Sequence, residues 1–229
     1  MNTNIKNLEK SIGYKFKTKN LLIEALTHPS YRHEINPDGR DNQRLEYLGD
    51  AVLGLVIADE LFNKFKNQPE GMLSSIRSWY TKDDTLSEIA KEIELGEYIL
   101  FGNGEKINQG SNKKSNLADS FEAVIGASWI DGGLKASKKI IKTVYSNSKF
   151  ILSNDFNESN PKGKLQEYAQ QYGYKAPEYH TVSITGPKHS PKFTIEVEYN
   201  DKIFIGICDN KRSAEKKAAQ EVLNWIKNN

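Results

Sequence analysis

Apolar residues recur at steps of three and four through residues 3–145, which is the spacing of one face of an α-helix. The stretch 42–56 shows this most clearly, with an apolar face formed by Leu45, Leu48, Val52, Leu55 and Val56. The spacing continues through residues 71–82, 84–93, 115–133 and 135–152, and Pro29 is expected to end or bend the helix that precedes it. Because no stretch of this part alternates between polar and apolar residues, we predict that it is all-α.

The pattern changes beyond residue 152. Residues 153–164 lose their apolar side chains and collect Asn, Ser, Asp, Pro and Gly, the composition of a linker. Two helices are predicted over residues 164–173 and 213–226, and between them three stretches alternate as strands do: residues 177–186, 192–200 and 202–210. The sequence therefore predicts an all-α domain (residues 1–152), a linker (153–160) and a small α+β domain of order α-β-β-β-α (161–229).

Composition narrows the class of protein. No run approaches the about 18 apolar residues that a membrane span needs, and the first residues lack the apolar core of a secretory signal. The single cysteine, Cys208, excludes an intramolecular disulfide or a cysteine metal cluster, so we expect a cytoplasmic protein without a membrane partner. Residues 1–150 hold 21 basic and 20 acidic side chains, whereas residues 160–229 hold 11 and 8, which gives the second domain a local positive patch.

Two predicted helices carry a pair of acids beside their apolar face. Glu46 and Asp50 lie four residues apart, and Asp119 and Glu122 lie three apart, so each pair faces one side of its helix. For one such pair, solvated acids at the edge of an amphipathic helix are the simpler explanation. Here, however, no Lys or Arg stands at a pairing distance on the helix from Asp50, Asp119 or Glu122. Four partly buried, unpaired carboxylates would repel one another, and a divalent cation would remove that cost.

Small residues stand beside both acid pairs, since Gly49 and Gly54 adjoin the first and Gly126 adjoins the second. We interpret these glycines as leaving room for a metal ion and for a nucleic-acid backbone. Carboxylate oxygens with room for water suit Mg²⁺, for which Mn²⁺ substitutes. The chemistry that such a site predicts is metal-assisted hydrolysis of a phosphate ester, with the cation supplying the hydroxide nucleophile.

These residues lie in motifs that resemble the ribonuclease III family. The defining one is NQRLEYLGDAVL (residues 42–53), and others are ALTHPSY (25–31), PEGMLSSIR (69–77) and the long segment 102–133. The resemblance covers nearly the whole chain, and its C-terminal part resembles a double-stranded-RNA-binding domain. It implies an endoribonuclease that cleaves double-stranded RNA as a homodimer, leaves short 3′ overhangs and takes part in RNA processing, including that of ribosomal RNA.

The resemblance also implies roles for individual acids. Glu46, Asp119 and Glu122 match metal ligands, and Asp50 and Glu122 match catalytic acids, so that Asp50 joins the same metal cluster. Glu70 matches an acid placed near the active site of the partner subunit. One position departs from the family pattern, since Gln43 stands where the family usually has Glu. This exchange removes one negative charge at the outside of the cluster and bears on metal affinity more than on the type of reaction.

The C-terminal domain carries polar groups suited to duplex RNA, whose shape is read through 2′-hydroxyls and phosphates. Gln166 and Gln170 lie four apart on its first helix, and His189 lies in a loop between two strands. Cations surround the start of the last helix, where free N–H groups also favour phosphate: Lys211, Arg212, Lys216 and Lys217. Each of these residues alone would suggest only a solvated surface. Their order and spacing together predict an RNA-binding surface.

Two other classes of function remain as alternatives. A non-catalytic double-stranded-RNA-binding or ribosome-associated protein would keep the fold, but such a protein is expected to lose one or more acids, and Glu46, Asp50, Asp119 and Glu122 are all present. An all-α hydrolase of small phosphates would leave residues 160–229 unexplained. The sequence therefore favours the endoribonuclease.

Overall fold

The computed structural model describes residues 2–66, 68–150, 161–187 and 190–227. The chain divides into two compact units, residues 1–152 and 153–229. The predicted linker, residues 153–160, lies outside the described residues and stays a prediction. Within the described residues, no helix combines the length and the apolar character that crossing a membrane requires.

The described part of the first unit is helical. Its helices are α1 (Asn2–Ser11), α2 (Lys19–Ala25), α3 (Pro29–Ile35), α4 (Gln43–Lys64), α5 (Glu70–Thr81), α6 (Asp83–Glu92), α7 (Asn103–Ile107) and α8 (Lys114–Ser146). Two short 3₁₀ turns, Leu95–Glu97 and Gly110–Asn112, join some of them. An isolated bridge between Thr27 and Leu100 is the sole β pairing in the described part of this unit, so the all-α prediction is confirmed.

Proline and glycine set two of the helix boundaries. Pro29 is the first residue of α3, where its fixed φ suits a helix start, and Nδ1 of His28 caps this helix by accepting the N–H of Ser30 at 3.1 Å. The prediction that Pro29 ends or bends the preceding helix is therefore wrong, because α2 already ends at Ala25. The predicted stop at the glycine pair is visible within α8, since Gly133 leaves helical geometry at φ 65° and ψ −163°.

Helices α4 and α8 form the centre of the first unit. The buried side of α8 contains Leu117, Phe121, Val124 and Ile125, and that of α4 contains Leu45, Gly49, Val52, Leu53 and Val56. The predicted apolar face of α4 is therefore only partly right. Leu48 is partly exposed and Leu55 is 53% exposed, because the helix turns a second apolar side, which continues to Phe62, towards solvent.

The second unit has the predicted α-β-β-β-α order. Its elements are α9 (Pro161–Gln171), β1 (Tyr179–Thr185), β2 (Lys192–Tyr199), β3 (Lys202–Cys208) and α10 (Lys211–Lys227). The three strands form an antiparallel sheet in the order β1-β2-β3. Asn200 and Asp201 join β2 to β3 with φ values of 51° and 57°, the left-handed conformation that a tight hairpin requires.

The core of the second unit lies between one face of the sheet and the two helices. Leu165, Val197, Tyr199 and Val222 are buried there. Gly206 of β3 lets α10 approach closely, because a β-carbon at this position would lie 2.0 Å from the carbonyl oxygen of Ala214. This contact holds the start of α10 against the sheet.

Candidate active site and RNA-binding surface

The four predicted acids lie on the two central helices, Glu46 and Asp50 on α4 and Asp119 and Glu122 on α8. The helices cross in direct backbone contact beside them. A β-carbon on Gly126 would lie 2.1 Å from the carbonyl oxygen of Leu45, so glycine is required for this approach. The crossing brings the two acid pairs to the same part of the molecule.

The predicted role of the glycines is therefore wrong for two of the three. Gly49 and Gly126 leave no space for a metal ion or an RNA backbone, because the neighbouring helix fills the place of their missing side chains. Gly54 has no other part of the chain within 4 Å of its β-carbon position, and the structure gives no reason for a glycine there. The glycines act on the site indirectly, since they set the separation of the helices that carry the acids.

The four carboxylates of α4 and α8 are coupled electrostatically. The pKa of Glu122 is raised to about 8, first by burial and then by the charges of Asp50, Asp119 and Glu46. Burial also raises the pKa of Glu46, with contributions from Asp119 and Asp50. The pKa of Asp119 is raised, again mainly by burial. A group of this kind carries excess negative charge that a cation would stabilise.

No lysine or arginine in the described residues neutralises this charge through an ion pair with any of the four carboxylates. Asp59, further along α4, does have such a partner, since it lies 2.5 Å from Nζ of Lys138. The four acids of the cluster lack an ion pair of this kind, and charge on a partly buried carboxylate without a positive partner is costly.

The cluster fits a divalent cation by the chemistry of its donors, since partly buried carboxylate oxygens without a positive partner are the ligands that Mg²⁺ and Mn²⁺ prefer. The side chains are not, however, arranged around a common point. In the part of the chain that the structure describes, no three acid, histidine or cysteine side chains form a group that would hold a metal ion as they stand. The assignment of Glu46, Asp50, Asp119 and Glu122 as metal ligands stays a prediction.

Two further acids face the cluster, and the sequence did not single them out for it. Asp41, which precedes α4, raises the pKa of Glu46. Asp83, the first residue of α6, raises the pKa of both Asp119 and Glu122. Asp83 does not cap its own helix, since α6 begins without a side-chain cap. Its place near the cluster depends on the packing of α6 against α8, which no local sequence signal reveals.

Gln43 and Glu70 were predicted to lie at the edge of the site, and the structure places them on different helices. Gln43 is the first residue of α4 and is exposed, one turn before Glu46. Glu70 is the first residue of α5, and its Oε1 accepts a hydrogen bond from Oγ of Ser74 at 2.7 Å. It lines a groove with Leu55 and Phe62 and is not among the charges that act on the cluster.

The segment before α8 is fixed by carboxylates that do not belong to the cluster. Glu34 accepts the N–H of Asn103 at 2.6 Å, and Glu105 accepts a hydrogen bond from Nδ2 of Asn116 at 2.8 Å. Asn116 also donates to the carbonyl oxygen of Gly110 at 3.0 Å. These contacts hold the first turn of α8 and therefore the position of Asp119.

The predicted RNA-binding residues of the second unit are arranged on two helices. Gln166 and Gln170 are exposed on α9, four residues apart. Asn210 caps α10 by accepting the N–H of Ser213 at 2.8 Å, and Lys211, Arg212 and Lys217 near this helix start are exposed. Lys216 is partly buried and engaged in other contacts. His189 lies outside the described residues, so its role stays a prediction.

Comparison with known families accounts for both units. A family model described as Ribonuclease-III-like matches residues 18–148, the range that contains all four carboxylates. The chain belongs to the ribonuclease III family. The second unit of this family member matches a model described as Double-stranded RNA binding motif over residues 161–226. The family and the fold expected from the sequence motifs are both confirmed.

Relatives of the family member are similar along almost their whole length. A protein named Ribonuclease 3 from Shewanella frigidimarina is 37% identical over 225 residues, 97% of each chain. Another from Wigglesworthia glossinidia brevipalpis is 38% identical over 218 residues, 94% of each chain. Among solved structures, the nuclease domain of ribonuclease III from Campylobacter jejuni aligns with a TM-score of 0.60 and 41% identity, and covers 63% of this chain and 98% of its own.

Proposed function

We propose that this ribonuclease III family member hydrolyses phosphodiester bonds of double-stranded RNA with the help of a divalent cation held by its carboxylate cluster. It is an endoribonuclease that acts on double-stranded RNA, as its nuclease unit and its double-stranded-RNA-binding motif indicate together. One observation carries the proposal. Four carboxylates on α4 and α8, three of them partly buried and one exposed, have no ion pair with a Lys or Arg of the described residues.

We assign the cation to Glu46, Asp119 and Glu122, with Asp50 beside them. A bound Mg²⁺, or Mn²⁺ in its place, would supply a nucleophile at neutral pH and would neutralise charge on the phosphate. Glu122 has a pKa of about 8 in the chain without a cation, so its carboxyl holds a proton near neutral pH until a positive charge lowers that pKa. Asp50 is exposed and therefore free to approach the scissile phosphate.

The second unit binds the duplex and brings it to the nuclease unit. Gln166 and Gln170 present amides to 2′-hydroxyls in the minor groove. Lys211, Arg212, Lys216 and Lys217 attract the phosphates that flank the major groove, and a helix start such as that of α10 favours negative charge. We assign His189 to a neighbouring minor groove.

We also propose that the enzyme works as a homodimer, whose two sites cut opposite strands and leave short 3′ overhangs. Support comes from an apolar surface on α4, where Tyr47 is 83%, Leu55 53% and Phe62 71% exposed, beside a groove lined by residues of α5 such as Leu73. Large exposed apolar patches of this kind mark association sites. The Campylobacter jejuni structure is described for flexibility in a region involved in dimer formation.

Glu70 borders this groove, so dimerisation would place it near the partner subunit, in agreement with the role inferred for it. Replacing Phe62 with Asp should convert a sedimenting dimer into a monomer, whereas a wild-type chain that sediments as a monomer at micromolar concentration would refute the dimer. We place the enzyme in the cytoplasm, in RNA processing that includes ribosomal RNA, on the strength of its bacterial relatives.

The proposal is tested by incubating the full chain with a long perfect RNA duplex, once with Mg²⁺ and once with a chelator. We expect cleavage with Mg²⁺ only, into double-stranded fragments with short 3′ overhangs, and no cleavage of a single strand of the same sequence. Duplex binding without cleavage at every Mg²⁺ or Mn²⁺ concentration would favour the non-catalytic alternative. Retention of Glu46, Asp50, Asp119 and Glu122 argues against that alternative.

A further inference from the structure

An ion pair joins the starts of the two helices of the second unit. Nζ of Lys162, the second residue of α9, donates a hydrogen bond to Oε2 of Glu215, the fifth residue of α10, at 2.7 Å. The side chain of Glu215 is only 16% exposed, and that of Lys162 is 35% exposed. An exposed ion pair contributes little, whereas a pair withdrawn from water needs good geometry to offset its desolvation. This contact therefore holds the two helix starts in a defined arrangement.

Tyr179 of β1 completes the surroundings of the Lys162 ammonium. Nζ of Lys162 lies 4.3 Å from the centre of the Tyr179 ring, within the range of a cation–π interaction. Tyr179 packs against the core of the second unit. Burial raises the pKa of Tyr179, and the nearby charge of Glu215 raises it further. Lys162 is therefore held by a ring of the sheet and by a carboxylate of α10.

The ion pair adjoins both groups of residues that we assign to RNA. On α9, Gln166 follows Lys162 by four residues and is exposed, so the two share one side of the helix. On α10, Glu215 follows the exposed Arg212 by three residues, which likewise places them on one side. An acid among these cations repels phosphate. Attraction of phosphate therefore gives no reason for Glu215, whereas its contact with α9 does.

We propose that Lys162 and Glu215 are positioning residues for duplex binding, whose ion pair fixes α9 relative to α10. A duplex presents its 2′-hydroxyls and phosphates at fixed spacings, so amides on one helix and cations on the other reach them together only in one arrangement of the helices. Fixing this arrangement before RNA arrives lowers the entropic cost of binding. The inference rests on the proposed function, since it requires that Gln166 contacts the duplex.

The test measures the dissociation constant of the full chain for a perfect RNA duplex, in a chelating buffer that prevents cleavage. Glu215→Gln keeps the size of the side chain and removes its charge. Charge alone predicts tighter binding by this variant, whereas positioning predicts binding that is roughly 2- to 10-fold weaker, as for other contacting residues. Glu221→Gln is the matched control, because it removes the same charge from an exposed position of α10 and should not weaken binding. Binding by Glu215→Gln at or above the wild-type affinity overturns the inference.

A double-mutant cycle separates positioning from a loss of stability. Gln166→Ala should weaken binding by the wild type but should have little further effect in Glu215→Gln, because α9 then no longer holds this amide against the duplex. A general loss of stability predicts instead that the two substitutions act independently, so that their fold-changes multiply. Independent effects overturn the inference.

Lys162→Met decides the question if Glu215→Gln does not fold. Met keeps an apolar stem beside Tyr179 and removes the charge, and we expect weaker binding with an unchanged dependence on salt. A salt slope lower by about one would mean that Lys162 contacts a phosphate directly, which overturns the inference. Lys162→Arg keeps the charge and should bind as the wild type does. A wild-type chain that binds no duplex, or binding undiminished by Gln166→Ala, overturns the proposed RNA-binding surface and the inference with it.

Discussion

Gly49 of α4 faces the backbone of Glu122 in α8 so closely that a β-carbon on Gly49 would lie 1.8 Å from the Glu122 carbonyl oxygen. The residue whose side chain belongs to the carboxylate cluster thus also supplies the backbone contact that fixes the helix crossing. Any side chain at position 49 would have to push the two helices apart. The packing of the core and the geometry of the site are therefore one structural property.

Gly49→Ala should consequently destabilise the enzyme and disturb its site. The backbone atoms it meets cannot turn away as a flexible side chain does, so we expect a loss of about 1–3 kcal/mol in the free energy of unfolding, the usual cost of overpacking. Urea unfolding measures this loss. Gly54→Ala is the matched control in the same helix, where a β-carbon meets nothing within 4 Å. It should be stabilising by up to about 1 kcal/mol, the helix-propensity difference. Equal effects of the two substitutions would contradict the crossing argument.

Stability without metal should fall as the pH rises. The pKa of Glu122 is about 8 in the folded chain against an ordinary value of 4.5, so between these values the folded chain binds more protons than the unfolded one. The contribution is fully present below the lower value and is lost through the upper one. Its slope is at most about 1.4 kcal/mol per pH unit, and solvent around the partly exposed carboxylate reduces it.

The measurement compares urea unfolding of the wild type and Glu122→Gln from pH 5 to pH 8.5 in a chelating buffer. The stability of the variant relative to the wild type should increase with pH, and Mg²⁺ should reduce the difference. A constant difference across this range would mean that Glu122 titrates in the folded chain as it does in the unfolded one.

Gln43→Glu should lower the Mg²⁺ concentration needed for half-maximal cleavage. It adds a negative charge one turn before Glu46, at an exposed position where a long side chain has room. We expect a change of a few-fold, larger at low salt, because solvent and ions screen an exposed charge. Gln43→Leu, which adds no charge, serves as the control. An unchanged Mg²⁺ requirement in Gln43→Glu would show that position 43 is neutral or compensated.

Removing residues 155–229 should separate binding from chemistry. The deleted part contains the basic residues at the start of α10, and phosphate contacts weaken as salt competes for them. We expect the truncated enzyme to cleave duplex RNA at low salt and to fail at physiological salt, with its metal requirement unchanged. Cleavage rates are compared at the two salt concentrations beside the full chain. If truncation left the salt dependence unaltered, the second unit would not be the main source of duplex affinity.

Local spacing explains how much of the site was predictable. Glu46 and Asp50, like Asp119 and Glu122, share a helix face by their separation alone, so each pair was visible in the sequence. The order of helices and strands was visible for the same reason. Local spacing does not predict which helices pack together, because that packing depends on the fit between residues that are far apart in the sequence.

Three residues illustrate that limit. Asp83 reaches the cluster only because α6 packs beside α8, and Gly49 serves a helix crossing that no local pattern announces. Leu55 has the spacing of a core residue, yet it is exposed because α4 carries apolar residues on more than one side. In each case the role of the residue depends on what packs against its helix and not on its spacing along the sequence.

Glu122→Gln tests the carboxylate cluster itself. The substitution keeps the size of the side chain and removes the charge that holds a cation. Folding should be unchanged or slightly improved, because the pKa of Glu122 is already raised by burial and by its acidic neighbours. Duplex binding should persist, since Gln166, Gln170 and the basic residues of α10 lie in the other unit.

Cleavage by this variant should fall by orders of magnitude. A metal ion stabilises the transition state by several kcal/mol, and each loss of about 1.4 kcal/mol lowers the rate about tenfold. Single-turnover cleavage and a gel-shift assay with the same duplex measure the two properties side by side. Glu88→Gln is a suitable control, since Glu88 is an acid of the first unit that pairs with Lys91 and Lys149 and does not act on Glu122. A variant that binds and protects the duplex supports the cluster as the catalytic centre. Cleavage at the wild-type rate would reduce Glu122 to a surface acid and remove the basis of the metal assignment.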